Sequence, residues 1–299
     1  MGKAQFVYIE QFRRQGKTSI MSLAFIGIYL NMHDRILPMG RADFRVVRSS
    51  PKNRPDKNPD YVILLPPSES KSELGTIRTN WNPASGIFGA RLKDSRDQVI
   101  DALSNANGGN ATLLGVGGKH LERANLANRS LRGATTLPAH QRYTGVVWDH
   151  LDLDSLTSSD LKSALDHIVV ISGLLGAVGA SDPVPDYRLK MSARLAPLGT
   201  MSRWWCEPLS AVLNEYFAGL VVIDILPQVH RRAYLPDVDR LNQYLRVDLI
   251  EKSGQPGGHA AKAAKGRLAR HVLSRCTDGA DVRSALKSFH DPLFAVSID

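Results

Sequence analysis

The chain has 299 residues, 43% of them hydrophobic and 22% charged, which excludes wholesale disorder and fibrous classes and leaves one large or two small domains. Two cysteines, Cys206 and Cys276, are too few for a disulfide framework or a cysteine-rich zinc site, and read as reduced thiols. The net charge of +9 is uneven: residues 1–59 hold 11 Lys and Arg against 4 Asp and Glu, so the total alone is no argument for nucleic acid.

Residues 1–59 read as a basic extension. Lys3, Arg13, Arg14 and Lys17 precede the apolar run Ile20–Leu30, which is 11 residues long and too short to span a bilayer. The following Asn31 to Arg35 offers no small-residue cleavage site, which argues against a signal peptide. Ser49 to Pro59, with prolines at 51, 55 and 59, is a polar linker. The extension is expected to be amphipathic or disordered, or to stem from a start codon placed too far upstream.

Organised sequence starts at Tyr61. Tyr61–Leu65 is a short apolar run closed by Pro66-Pro67, hence a buried strand. Asp94 to Ala106 has helical character and stops at Gly108-Gly109, and a second helix is expected from Lys119 to about Ser130. Ser158, Ser159 and Asp160 offer capping oxygens for a helix over Leu161–Asp166. His167–Ile171 reads as a second buried strand, Trp204–Glu215 as a helix with Pro208 near its first turn, and Leu220–Ile225 as a third buried strand. Tyr244–Glu251 alternates as a strand does, and a helix is expected from about His259 to Arg275. Interleaved strands and helices predict an α/β fold, a single mixed domain over residues 60–299 with a largely buried sheet flanked by helices.

Three stretches could carry chemistry. The loop after the first strand, Pro66-Pro67-Ser68-Glu69-Ser70-Lys71, brings a hydroxyl, a carboxylate and an ammonium together where α/β folds place ligands. Glu69 suits a general acid or base and Lys71 a phosphate contact, while the same residues also suit a turn whose serine caps the next element. Asp182 to Met191 delivers Tyr187, Arg188 and Lys190 behind two stiffening prolines. Arg188 offers a phosphate fork, and Tyr187 a stacking face or hydroxyl; alternatively Arg188 braces the loop against Asp182 or Asp186. Finally, Lys262, Lys265, Arg267 and Arg270 lie in a stretch free of Asp and Glu. Ala261, Ala264, Leu268 and Val272 fall within an arc of about 80° on the predicted helix, with the cations on the broad opposite side. Such a face suits a polyanion or simply solvent.

Other patterns exclude more than they suggest. Gly115-Val116-Gly117-Gly118-Lys119 lacks the first glycine of a phosphate-binding loop and has His120 where Ser or Thr should hold magnesium. Gly173-Leu174-Leu175-Gly176 spaces its glycines by three, whereas a helix-hairpin-helix usually spaces them by two, so a tight turn is the plainer meaning. The histidines show no paired metal spacing, and neither metal nor cofactor is expected.

In this order, several segments resemble the bacterial YaaA family of peroxide-stress proteins. They are Leu64-Leu65-Pro66-Pro67-Ser68-Glu69-x-Lys71, Tyr143-Thr144-Gly145, Ser172-Gly173-Leu174-x-Gly176, and Asp182 followed by Tyr187-Arg188-Leu189-x-Met191-x-x-Arg194-Leu195. Trp204, the strand Leu220–Ile225 and His259-Ala260-Ala261-Lys262-x-x-Lys265-Gly266-Arg267-x-x-Arg270 continue the match. The resemblance covers roughly residues 61–275 and leaves 1–59 outside. It implies a cytoplasmic DNA-binding protein without a known reaction, with a helix-hairpin-helix-like element in a basic cleft. It also implies a role in surviving hydrogen peroxide by limiting unincorporated iron and so DNA damage. Arg188, Lys190, Lys262, Lys265, Arg267, Arg270 and Lys71 would meet phosphates, and Tyr187 would stack or hydrogen-bond. The rival expectation is an enzyme acting on a nucleotide or flipped base, with Ser68, Glu69, Lys71 and Tyr187 as candidate catalytic residues. DNA is the one partner expected, with no membrane and no obligate protein partner. The sequence departs from the family at Gly179-Ala180, where an Arg-Pro pair is usual, and over Pro227 to Arg232.

Overall fold

The structure is a computed structural model that describes residues 60–75, 80–253 and 258–299. The basic extension, its apolar run and its proline linker lie outside the described residues.

The chain opens with β1 (Tyr61–Leu65), every residue of which is buried. A helical segment follows: α1 (Gly89–Asn105), α2 (Ala111–Leu114) and α3 (Gly118–Arg129). Next come β2 (Thr136–Pro138), α4 (Ala139–Arg142), α5 (Val146–Leu151) and α6 (Ser158–Asp166), the last capped by Thr157 accepting from the Asp160 amide at 3.3 Å. Then β3 (Ile168–Ser172) and β4 (Gly176–Gly179) form a hairpin, followed by β5 (Pro183–Pro185), β6 (Arg194–Leu195) and β7 (Gly199–Thr200). The chain continues through α7 (Met201–Trp204), α8 (Cys206–Tyr216), β8 (Val221–Asp224), α9 (Gln228–Arg231) and β9 (Gln243–Glu251). It closes with α10 (Gly258–Thr277), α11 (Val282–Lys287) and β10 (Phe294–Ile298).

One six-stranded mixed sheet organises these elements, in the order β10-β9-β8-β1-β3-β4. The four inner strands are parallel, with Ile63 opposite Ile168 and Val62 opposite Val222, and an antiparallel strand borders each side. β1 and β3 are buried at every residue, so both faces of the sheet are covered, and this is why they read as continuous apolar runs. The expected mixed α/β domain and its four predicted strands are present. The alternation expected in β9 is present where Leu245 and Val247 point inward.

One expectation is met and one needs correction. The Gly173–Gly176 segment is the tight turn its glycine spacing suggests: it joins two antiparallel strands, with Ser172 opposite Gly176, and is no helix-hairpin-helix. Gly176 has φ +70°, and its missing side chain leaves room for the Trp205 ring, so the glycine serves packing. The buried face of α10 is also broader than a single arc. It includes Ala263, Gly266, Ala269 and Leu273 as well as Ala264, Leu268 and Val272, and α10 packs against α5 in addition to the rest of the core. A Cβ at Gly266 would lie 2.3 Å from the Val147 carbonyl oxygen, so only glycine permits that approach. Cys206 and Cys276 are both free.

Buried polar groups tie the helices to the sheet. Arg96 is fully buried and donates to the carbonyls of Leu175, Pro83, Ser85 and Ala177 at 2.7–2.9 Å. Asp182 accepts from the amides of Gly179 and Ile87. Asp224, at the end of β8, holds Arg231, which also reaches Asp248 on β9 at 2.7 Å.

Candidate functional site

The connections from the sheet centre run in opposite directions. β1 leads to β3 on one side, while β8 leads to β9 on the other. In open α/β sheets the crevice beyond the carboxyl ends of such strands is the habitual ligand site. A cavity of about 620 Å³ occupies that place. Its walls are the Pro66–Lys71 loop after β1, the start of α5, the Tyr187–Ser192 segment, the turn into α9 and the first turns of α10. Among the described residues five cationic side chains reach it, Lys71, Arg188, Lys190, Lys262 and Lys265, against the single carboxylate of Glu69.

Lys71 is the deepest of these, with 9% of its surface exposed. Its Nζ donates to the Ser68 carbonyl at 2.8 Å and lies 4.1 Å from the centre of the Tyr187 ring. No ion pair among the described residues includes it. Burial, reinforced by the neighbouring Arg188, overcomes the attraction of Asp186 and Glu69 and lowers the Lys71 ammonium to a pKa of about 7. The Tyr187 hydroxyl faces inward, 2.7 Å from Ser172 Oγ and 2.9 Å from the Tyr143 hydroxyl. Burial pushes it up to about 12, so it stays protonated and its ring face is what the cavity meets. Tyr143 reaches the same cluster through its bridge pairing with Lys71.

The rim is an ion cluster. Glu69 accepts from Arg188 Nη2 at 3.0 Å, and Lys190 Nζ lies 3.2 Å from its other oxygen. Arg188 also donates to the Leu114 carbonyl at 3.0 Å. Glu69 is therefore exposed and paired, not desolvated, and the alternative pairing of Arg188 with Asp182 or Asp186 does not occur; Asp186 pairs with Arg123. Ser68 approaches Gly145, where a Cβ would sit 2.8 Å from its Oγ and φ is +116°.

The four cations of α10 are not brought together. Lys262 is exposed at the cavity mouth. Lys265 points inward and donates to the Ile225 carbonyl at 2.6 Å; burial and the neighbouring Arg231 lower it to about 8. Beside it, burial and Lys265 lower His230 to about 4, leaving a neutral imidazole whose buried Nδ1 has no protein partner. Arg267 pairs with Asp291, whose side chain is almost fully buried, and Arg270 donates to Leu151, Asp152 and Ser155 at the end of α5. Neither lines the cavity.

One element next to the cavity was legible in sequence but read only as a failed phosphate loop. α2 and α3 are joined by Gly115-Val116-Gly117, two glycines spaced by two. Gly115 ends α2 with φ +62°, and a Cβ there would meet Lys190 Nζ at 2.8 Å. Gly117, Gly118 and Lys119 are exposed, and nothing stands within 4 Å of a Cβ at either glycine. The glycine spacing of two was the available signal; Ser172 and Tyr143, whose hydroxyls complete the inner cluster, stood in the segments that carry the resemblance but were given no role there.

Residues 61–297 match the family described as peroxide stress protein YaaA. A UPF0246 protein of Streptomyces coelicolor is 31% identical over 221 residues, 72% of this chain and 84% of that one. One from Corynebacterium efficiens is 37% identical over 171 residues, 55% of this chain and 65% of the relative, and one from Corynebacterium glutamicum is 29% identical over 218, 70% and 83%. With nearly the whole span from β1 to β10 matched, the chain belongs to the YaaA family of peroxide-stress proteins.

Proposed function

We propose that this protein binds DNA through its phosphates, with little sequence preference, and does so in the peroxide response, where it limits unincorporated iron and the DNA damage that iron promotes. The observation that carries the DNA reading is the exposed Gly115-Val116-Gly117 turn between two helices, next to a cavity mouth with Arg188, Lys190 and Lys262. This turn, and not Gly173–Gly176, is our candidate helix-hairpin-helix. Unobstructed glycine amides at the start of α3 can approach a phosphate closely, and the helix terminus favours the negative charge. Lys119, Lys190 and Lys262 would supply the cationic track that non-specific binding needs. In this reading the basic cleft consists of the cavity mouth and the turn, with Arg267 and Arg270 holding α10 in place.

The test is fluorescence anisotropy of a labelled duplex with the full chain and Gly117→Asp. Gly117 has φ −134° and open space around it, so the added carboxylate leaves the fold unstrained while it repels phosphate. Affinity should fall at least tenfold on unrelated sequences alike. Unchanged affinity would overturn the assignment of the turn. An enzyme remains the rival class, but its centre moves: Lys71 is desolvated at the cavity floor, and Glu69 is exposed.

A further inference from the structure

We propose that Lys71 is a carbonyl-capturing amine whose substrate is a phosphorylated aldehyde sugar, held as a Schiff base at the floor of the cavity. The DNA-binding reading supplies one source of such a sugar, the open-ring form of an abasic deoxyribose; a free sugar phosphate has the same chemistry.

The geometry argues as follows. Lysine adds to carbonyls only as the free amine, and desolvation beside another cation is the established way to obtain one at neutral pH. Lys71 has both conditions: it is buried, without a carboxylate in ion-pair distance among the described residues, and Arg188 stands nearby. At the ordinary lysine value only about one amine in 2500 is neutral at pH 7; burial lowers Lys71 until roughly half are. The side-chain hydrogen bond it makes among the described residues, to the Ser68 carbonyl, uses an N–H and leaves the lone pair available. The Tyr187 ring, 4.1 Å away, then faces the cation that the reaction creates. Arg188, Lys190 and Lys262 line the same cavity and suit the phosphate of the sugar, which would take the place of Glu69 on the first two.

The steps balance without an oxidant or reductant. The Nζ lone pair attacks the aldehyde carbon, and the carbonyl oxygen takes up a proton while the nitrogen releases one, giving a carbinolamine. Protonation of its hydroxyl expels water, and the nitrogen lone pair forms the C=N bond of the iminium. Addition of water reverses the capture.

The experiment uses the full chain and sodium cyanoborohydride, whose hydride reduces the iminium carbon to a stable secondary amine. One arm presents a duplex with a single abasic site, a second presents deoxyribose 5-phosphate, and an intact duplex is the control. Peptide mapping of the wild-type adduct locates the modified lysine, so the result does not depend on a variant that fails to fold. The expected result is an adduct on Lys71 in at least one arm, none on the intact duplex, and its loss in Lys71→Arg. Adduct with the abasic duplex alone supports DNA as the source. Adduct with the free sugar phosphate alone keeps the carbonyl chemistry and removes DNA as its source. Modification spread over Lys190, Lys262 or other exposed lysines overturns the proposal. So does absence of any adduct; if the intact duplex is still bound in anisotropy, the DNA-binding reading then stands without it.

Discussion

Burying an ammonium without a carboxylate partner should leave a pH signature in stability, and Lys71 supplies a sharp case. Its pKa is about 7 in the fold and about 10.4 in the unfolded chain. Between those values the unfolded state holds the proton and the folded state does not, so stability rises with pH; below pH 7 both hold it and the contribution is flat. Integrated from pH 7 to pH 9, the gain is about 2 kcal/mol. Lys265, lowered to about 8, adds a gain of the same sign, so a subtraction is needed to isolate Lys71. Lys71→Met keeps the apolar stem against Tyr187 and removes the titration. Urea unfolding of wild type and Lys71→Met at pH 7, 8 and 9 gives the difference directly, provided the slopes against urea agree. The stability of wild type relative to the variant should rise by about 2 kcal/mol over this range. A flat difference would mean that Lys71 stays charged in the fold, and would refute the desolvation argument on which its reactivity rests.

Three further outcomes follow from the contacts. Lys262→Ala should reduce the slope of log K against log salt by about 0.9 in duplex binding, while Arg267→Ala, already paired with Asp291, should leave it unchanged; equal effects would show the two cations are equivalent. Arg96→Met leaves four carbonyls, three of them in buried contacts, without this donor and should destabilise the fold by about 3–5 kcal/mol in urea unfolding. Gly266→Ala drives a methyl into the Val147 carbonyl and should lower stability by about 1–3 kcal/mol, read as a lower melting temperature.

The sequence alone determined the elements whose signal is local. Tyr61–Leu65 and His167–Ile171 could be recognised as buried strands because a strand covered on both faces must be apolar at every position. Helix limits were less legible: α1 starts at Gly89, five residues before the expected Asp94, because the Arg96 contacts that hold its first turns come from distant carbonyls. The site was legible as a set of residues. Ser68, Glu69, Lys71, Tyr187, Arg188, Lys190, Lys262 and Lys265 all reach one cavity. Their roles were not legible, since a carboxylate or ammonium has the same letter whether solvated or buried. Only the tertiary structure exposed Glu69 and desolvated Lys71, by folding the loop after β1 beneath Tyr187. On α10 the periodicity pointed every cation outward, yet Arg267 and Arg270 end on Asp291 and the α5 carbonyls. Those partners lie far away in sequence, and a long flexible side chain can follow either solvent or a buried acceptor, a choice that packing alone decides.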